Sequence, residues 1–322
     1  MKSLFFIHNL RVELTTNSKF IYRLIKNNLS LFNPRARGHL IRFNIQELDN
    51  YRKIPLGDKN KFLVHPIYQY EFQEELNSII EAGARTIRVV ISLENDLISG
   101  YVVKPDIIEE DLLFELIFFQ PLRLLLKLHD VYLLHSSAVS QNGKCILFSG
   151  SSGSGKSTLS LVLVNKGFNY LAEDDVILKS NGHKVECFSF PTKIRIKEHL
   201  LKYFPKVRNK LEKSCDGKGK YKLNPKKIWP QTIINKARPF LLIFPQYRKN
   251  SKVKVSVLPK TEALSKLLKE NFICYEPTVK FSQINTRHFK VFSDLVNQCR
   301  TLKLIYSDKE LRNIPAIIDK LL

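Results

Sequence analysis

The chain is short of the features that assign many proteins at a glance. Its five cysteines, Cys145, Cys187, Cys215, Cys274 and Cys299, lie far apart, are odd in number and form no C-x-x-C pair. This excludes a disulfide framework of the small secreted kind and points to reduced thiols in a cytoplasm. Eight histidines show no metal-ligand spacing, so no zinc site is expected from them. Long apolar runs are missing too. The apolar stretch in Met1-Lys-Ser-Leu-Phe-Phe-Ile is too short for a signal peptide. The most apolar segment, Asp111 to Asp130, carries Glu115, Arg123, Lys127 and a central Pro121, and is too polar to span a bilayer. It reads instead as a core helix bent at Pro121. Acidic residues are scarce: 30 Asp and Glu face 52 Lys and Arg, a formal net charge of +22. The excess is spread along the chain. Its densest stretch, Lys202 to Lys227, lacks the interleaved aromatics of an RRM-type RNA reader, so nucleic acid is not the expected partner. Two roles for the charge stay open, solubility and attraction of a phosphorylated or acidic partner.

What is present is ordinary for a globular chain. The 322 residues are 44% hydrophobic and 25% charged, enough for one large or two modest domains. No internal repeat or low-complexity tract occurs. Residues 1–105 read as a strand-rich region, with strands at Ser3 to Leu14, Gly38 to Ile45, Ile87 to Ser92 and Asp96 to Val103. A helix is expected near Glu71 to Ala82, and a loop at Asn33 to Gly38. Residues 106–322 read as a second, catalytic domain. In it the helix from Asp106 to Lys127 leads to the strand Val131 to Ser140, then a tight turn at Asn142-Gly143. A second such turn is expected at Asn181-Gly182, a buried strand at Pro239 to Phe244, and helices at Thr261 to Lys269, Thr286 to Cys299 and Asn313 to Leu322. Ser214 to Lys220 reads as a mobile loop.

The most specific motif is Gly150-Ser151-Ser152-Gly153-Ser154-Gly155-Lys156-Ser157, which matches G-x-x-x-x-G-K-[ST]. Its setting fits as well. Cys145 to Ser149 reads as a buried strand, and Thr158 to Val164 as a helix that stops near Gly167. Glycines let the backbone curl so that several N–H groups point at one phosphate chain, and the helix start adds its positive end. Residues 150–158 are therefore expected to bind nucleotide. Lys156 would reach the β- and γ-phosphates, and the Ser157 hydroxyl would ligate Mg²⁺.

Binding alone does not define the chemistry, and carboxylates decide the rest. Glu173-Asp174-Asp175 begins 17 residues after Lys156, at the end of a short apolar strand, which brings it back beside the phosphate site. One acid can hold Mg²⁺ and a neighbour can orient or deprotonate an attacking hydroxyl. His135 lies on the strand before the motif's own strand, joined by the tight turn, and can reach the phosphates.

These residues in this order, His135-Ser-Ser-Ala-Val, the glycine motif and Leu171-Ala-Glu-Asp-Asp-Val, resemble the catalytic domain of HPr kinase/phosphorylase. The resemblance covers roughly residues 131–178, with a looser match at Phe190 to Arg195 to the shorter kinases of peptide-tailoring clusters. It implies an α/β fold with a mixed sheet: a phosphoenolpyruvate-carboxykinase-like P-loop core behind a strand-rich N-terminal region. It implies ATP and Mg²⁺ as cofactors and a homo-oligomer. Carried over, His135 contacts phosphates, Lys156 and Ser157 hold ATP and Mg²⁺, and Glu173 and Asp174 supply one catalytic base and one acid near the metal, with Ser157 and Asp174 as the metal residues; Asp175 can substitute for either acid. The family has Asp where this chain has Glu173. The Gly-rich segment used for dephosphorylation has no copy here. No arginine for the transferred phosphate is singled out; Arg195, Arg238 and Arg248 are the candidates. The reading is a cytoplasmic kinase acting on a hydroxyl, a serine of a peptide or small protein. Two alternatives stay open, a P-loop NTPase switch without an acceptor and a kinase or carboxykinase of a small metabolite.

Overall fold

A computed structural model gives the fold. It describes residues 1–7, 10–29, 38–53, 62–64, 68–73, 77–82, 87–92, 95–190, 194–204, 207, 211–213, 220–271 and 279–322. The expected loop at Asn33 to Gly38 and the expected mobile loop at Ser214 to Lys220 lie almost wholly outside these residues. The architecture is mixed α/β with mixed sheets. Two compact units make up the chain, residues 1–129 with 275–284 and residues 130–274 with 285–322. No described helix is long and apolar enough to cross a membrane.

The first unit is built on one mixed sheet of β1 (Lys2–Ile7), β2 (Leu10–Thr16), β3 (His39–Leu48), β4 (Phe62–Val64), β5 (Tyr68–Gln73), β6 (Asn77–Ala82), β7 (Ile87–Ser92) and β8 (Leu97–Val103), in the order β1-β2-β3-β8-β7-β6-β5-β4. Helix α1 (Lys19–Leu29) connects β2 to the parallel β3, burying Ile21, Leu24, Ile25 and Leu29. Ser3 to Leu14 is thus a two-strand hairpin rather than one strand. The expected helix near Glu71 to Ala82 is a correction too: β5 and β6 pair antiparallel there, from Tyr68↔Ala82 to Gln73↔Asn77. Its apolar residues fit a helical period, but an antiparallel neighbour on each side outweighs local period. The segment expected as one bent helix begins with α2 (Glu110–Phe114) and ends with α3 (Gln120–Leu128). Between them, Glu115–Phe119 widens to a π-turn. Pro121 has no N–H to give, and the widened turn just before it absorbs the loss.

The second unit centres on a sheet of β9 (Val131–Gln141), β10 (Lys144–Ser149), β11 (Asn169–Ala172), β12 (Asp175–Asn181), β13 (Lys184–Phe188), β17 (Lys236–Tyr247), β18 (Lys254–Val257) and β19 (Arg300–Tyr306). β9 and β10 form the hairpin expected at Asn142-Gly143, where both residues have positive φ, 51° and 75°. β10 is also parallel to β17, and β17 to β19. Helix α4 (Lys156–Val164) follows β10. A small sheet of β14 (Ile194–Lys197), β15 (Leu211–Lys213) and β16 (Lys220–Leu223) and the short helix α5 (Pro225–Ile228) come before β17. The helices α6 (Lys260–Asn271), α7 (Val279–Gln298) and α8 (Ile314–Asp319) complete the chain.

One face of the central sheet packs Val139, Ile146, Phe148 and Ile243 against Leu159 and Leu163 of α4 and Ile314 and Ile318 of α8. The other packs Leu134, Leu147, Val176 and Leu242 against Ala263 and Leu267 of α6 and Phe292 and Leu295 of α7. Strands covered on both faces read as continuous apolar runs, and this is why β10 and the middle of β17 do so.

Candidate active site

β10 ends at Ser149, and the chain curls through Gly150–Gly155 into α4. Gly150, Gly153 and Gly155 all take positive φ, 145°, 82° and 101°. The last is doubly constrained: a Cβ on Gly155 would stand 1.6 Å from the Tyr306 Oη. Ser154 N–H donates to Ser151 C=O at 3.2 Å and closes the curl. Ser151, Ser152 and Gly153 are exposed at its tip. Gly155 is the N-cap of α4 and offers no side-chain acceptor. The first-turn N–H groups of Lys156, Ser157 and Thr158 have no partner inside the helix by its geometry, so the helix start faces the curl as an anion cradle.

Lys156 is only 6% exposed, and its ammonium donates to Gly150 C=O at 2.6 Å and Ser151 C=O at 3.3 Å. Burial lowers its pKa, while the charges of Asp174, Glu173, Glu270 and Asp175 push it back up. A phosphate chain would therefore meet a lysine already gathered at the loop.

The acids enter through a kink. β11 and β12 both run antiparallel to β9, and the chain between them buckles at Glu173-Asp174. Asp174 has φ 62°, the left-handed region that Asp tolerates better than most residues. Asp175 N–H donates to Glu173 C=O at 2.7 Å, and Ser136 N–H to Asp174 C=O at 3.0 Å. The buckle breaks strand alternation and sends the two side chains to different surroundings. Glu173 is fully buried, with the Ser157 hydroxyl near enough to act on its carboxyl. Burial, and then the Asp174 charge, push its carboxyl up to about 8, against the pull of Ser157, Lys156 and Arg195. Asp174 stays one-third exposed and lies 3.8 Å from the Arg195 guanidinium.

Strand β9 lies between this kink and the loop: Ser136 is opposite Ser149, and His135 is opposite Asp175. Ser137 bonds Ser160 of α4 at 2.8 Å, so its face of β9 is the face of the loop helix. His135 shares that face by strand alternation. Its N–H is taken by the Asn271 Oδ1 at 2.5 Å. The structure thus brings Lys156, Ser157, Glu173 and Asp174 together at the loop, with His135 on the adjacent strand.

The three arginines separate cleanly. Arg195 is at the acids. Arg238 is opposite Lys144, at the far end of β10 from the loop. Arg248 follows the carboxyl end of β17, its N–H on Tyr306 C=O at 2.8 Å. Because β10, β17 and β19 are parallel, their carboxyl ends share one edge, the usual ligand edge of such a sheet. This edge adds residues that sequence reading missed. Tyr306 packs over Gly155; Tyr247 donates to Asp308 at 3.2 Å and meets Tyr306 edge-on at 5.9 Å; Glu270 acts on Lys156. The only signal for the tyrosines was their place at strand ends.

No protein-family model matches the chain, and no curated protein matches it. Among solved structures it is similar to one titled "Structure of the Hpr(Ser) kinase/phosphatase from Coxiella burnetii", at 14% identity over 59% of this chain and 92% of that one, with a TM-score of 0.30. A likeness of that size carries no weight for function.

Proposed function

We propose that the chain is a hydroxyl kinase: ATP with Mg²⁺ occupies residues 150–158, and the γ-phosphate passes to a serine hydroxyl on a peptide or small protein. One observation carries this reading. A fully buried carboxyl, Glu173, feels the Ser157 hydroxyl and the Lys156 charge at an uncapped helix start, with the accessible Asp174 next to it. An acidic turn with only a structural role would leave both acids in water. Holding one in the interior costs free energy, as is common at sites that need a displaced pKa.

The donors suit both groups. The phosphate chain would take the first-turn N–H groups of α4 and the Lys156 ammonium. Mg²⁺ prefers hard oxygen ligands, and the Ser157 hydroxyl and the Glu173 carboxyl, which would give up its proton on binding the ion, offer only oxygen. When bound, it would neutralise charge on the β- and γ-phosphates. Sequence reading set Asp174 beside Ser157 at the metal; the Ser157 hydroxyl acting on the buried Glu173 carboxyl favours Glu173 there, and the part-exposed Asp174 faces the acceptor. In this mechanism Asp174 takes the hydroxyl proton as the hydroxyl oxygen attacks the γ-phosphorus. The bond from that phosphorus to the β,γ-bridging oxygen breaks, and its electron pair leaves with ADP. Lys156 and the α4 N–H groups meet the growing charge, and Arg195 faces the transferred group. His135 borders the phosphates from β9.

The test measures binding of a fluorescent ATP analogue and phosphoryl transfer together. Lys156→Ala is expected to abolish transfer. Asp174→Asn is expected to bind within a few-fold of wild type while transfer falls by roughly 10²–10⁴-fold, the usual worth of a general base. Undiminished transfer by Lys156→Ala would sink the mechanism. Equal loss of binding in Asp174→Asn would make Asp174 a metal-side or structural residue.

A further inference from the structure

Far from any spacing signal in the sequence, three side chains of the first unit converge. His39 opens β3, Asp96 closes the turn before β8, and His129 caps the end of α3. The His39 Nε2 lies 2.5 Å from one Asp96 carboxylate oxygen, and the His129 Nε2 lies 2.7 Å from the other. The two imidazole rings lie 3.9 Å apart between centroids. All three ligand atoms fall within 4.8 Å of one another. Among the described residues this is the one group of three or more His, Cys, Asp or Glu side chains so gathered.

Topology builds the cluster. β3 and β8 are parallel neighbours, with Arg42 opposite Leu97, and Arg42 N–H donates to Asp96 C=O at 2.8 Å. Asp96 itself sits at φ 49°, a left-handed conformation that aims its carboxylate across the strand start. The Asp96 side chain is 14% exposed and that of His129 21%, while that of His39 is 49% exposed and leaves one side open.

We propose that His39, Asp96 and His129 form a binding site for a zinc-class divalent ion, with the fourth position open to water. The chemistry selects the class. Two imidazole nitrogens and one carboxylate oxygen suit Zn²⁺ and its neighbours, and not Mg²⁺ or Ca²⁺, which want oxygen alone. Tetrahedral Zn²⁺ with ligands at about 2.0–2.2 Å separates its donor atoms by roughly 3.3 Å, so each nitrogen need move less than about 1 Å from its carboxylate contact. The ion would tie the start of β3, the turn before β8 and the end of α3 to one another. It is separate in residues and in unit from the proposed kinase site.

The test uses the full chain, loaded with Zn²⁺ and then dialysed, and with Co²⁺ as a spectroscopic probe. Expected are about one retained zinc per chain, tetrahedral Co²⁺ absorption, and a melting temperature that falls by several degrees on chelation. Asp96→Asn, which keeps the left-handed turn, and His129→Ala should each weaken retention at least tenfold. Glu173→Gln should retain zinc like wild type. Should a variant fold poorly, the chelator's effect on wild type still decides the matter: a melting temperature unmoved by chelation, with no zinc retained, overturns the proposal. Zinc retained equally by wild type, Asp96→Asn and His129→Ala also overturns it, and would leave only a hydrogen-bonded His-Asp-His group.

Discussion

Glu173 holds the most consequential side chain in the molecule. Burial raises its pKa from 4.5 to about 8. A carboxyl so raised keeps its proton in the folded chain at pH values where the unfolded chain has lost it. Its contribution to stability is therefore whole below about pH 4.5 and is lost as pH rises through about pH 8. Glu173→Gln has no proton to lose there. Its melting temperature should fall less than wild type's between about pH 5 and about pH 9, and should exceed wild type's at the upper end. Parallel curves would contradict a buried, proton-holding Glu173. Gly155 makes a second case. Alanine there meets both a φ of 101° and the Tyr306 hydroxyl. We expect Gly155→Ala to destabilise by roughly 2–4 kcal/mol, and by at least ~1 kcal/mol less in a Tyr306→Ala background. Denaturant titration of the four chains checks it; additive effects would mean that the two residues do not touch. At this scale the legible residues were those adjacent in sequence, the glycine motif and the acid run. Tyr306, Glu270 and Asn271 reach the site from more than a hundred residues away, and no local pattern carries such a contact.

Strand β9 is the element that organises the site, because it borders the loop strand on one side and the acid kink on the other. Helix α6 packs on it and adds one side-chain hydrogen bond. Asn271, 7% exposed, accepts from His135 N–H and donates to Leu267 C=O at 2.9 Å. Asn271→Ala leaves a backbone donor of β9 without its acceptor and should cost roughly 1–3 kcal/mol. A lower denaturation midpoint at unchanged slope is the expected result, and an unchanged midpoint would show that water replaces the amide. Elements were read from sequence where pattern and environment agree. The hairpin turns at Asn142-Gly143 and Asn181-Gly182 carry their own turn chemistry, and α6 and α8 lie close to their expected spans. Glu71 to Ala82 misled because apolar residues spaced for a helix were enlisted by a sheet with a strand on either side. The π-turn before Pro121 was signalled as a bend, but its form depends on packing, such as Phe118 stacked on Phe43 at 4.5 Å.

The whole molecule joins a sheet-based first unit to a second unit whose sheet edge gathers a glycine curl, a lysine, two acids in unlike environments and an arginine. That the chain is α/β with mixed sheets was implied by the resemblance carried by His135, the glycine motif and the acid run. Which strands neighbour one another was not, since pairings such as β10 with β17 join segments nearly a hundred residues apart. The most direct test of the kinase reading is a transfer assay with γ-labelled ATP and Mg²⁺ against peptides, small proteins, free serine and other hydroxyl metabolites, run for wild type and Lys156→Ala with phosphate release followed in parallel. The account predicts label on a serine-bearing peptide or protein, absent with Lys156→Ala. Phosphate release with no labelled acceptor would contradict it and indicate a nucleotide-hydrolysing switch instead.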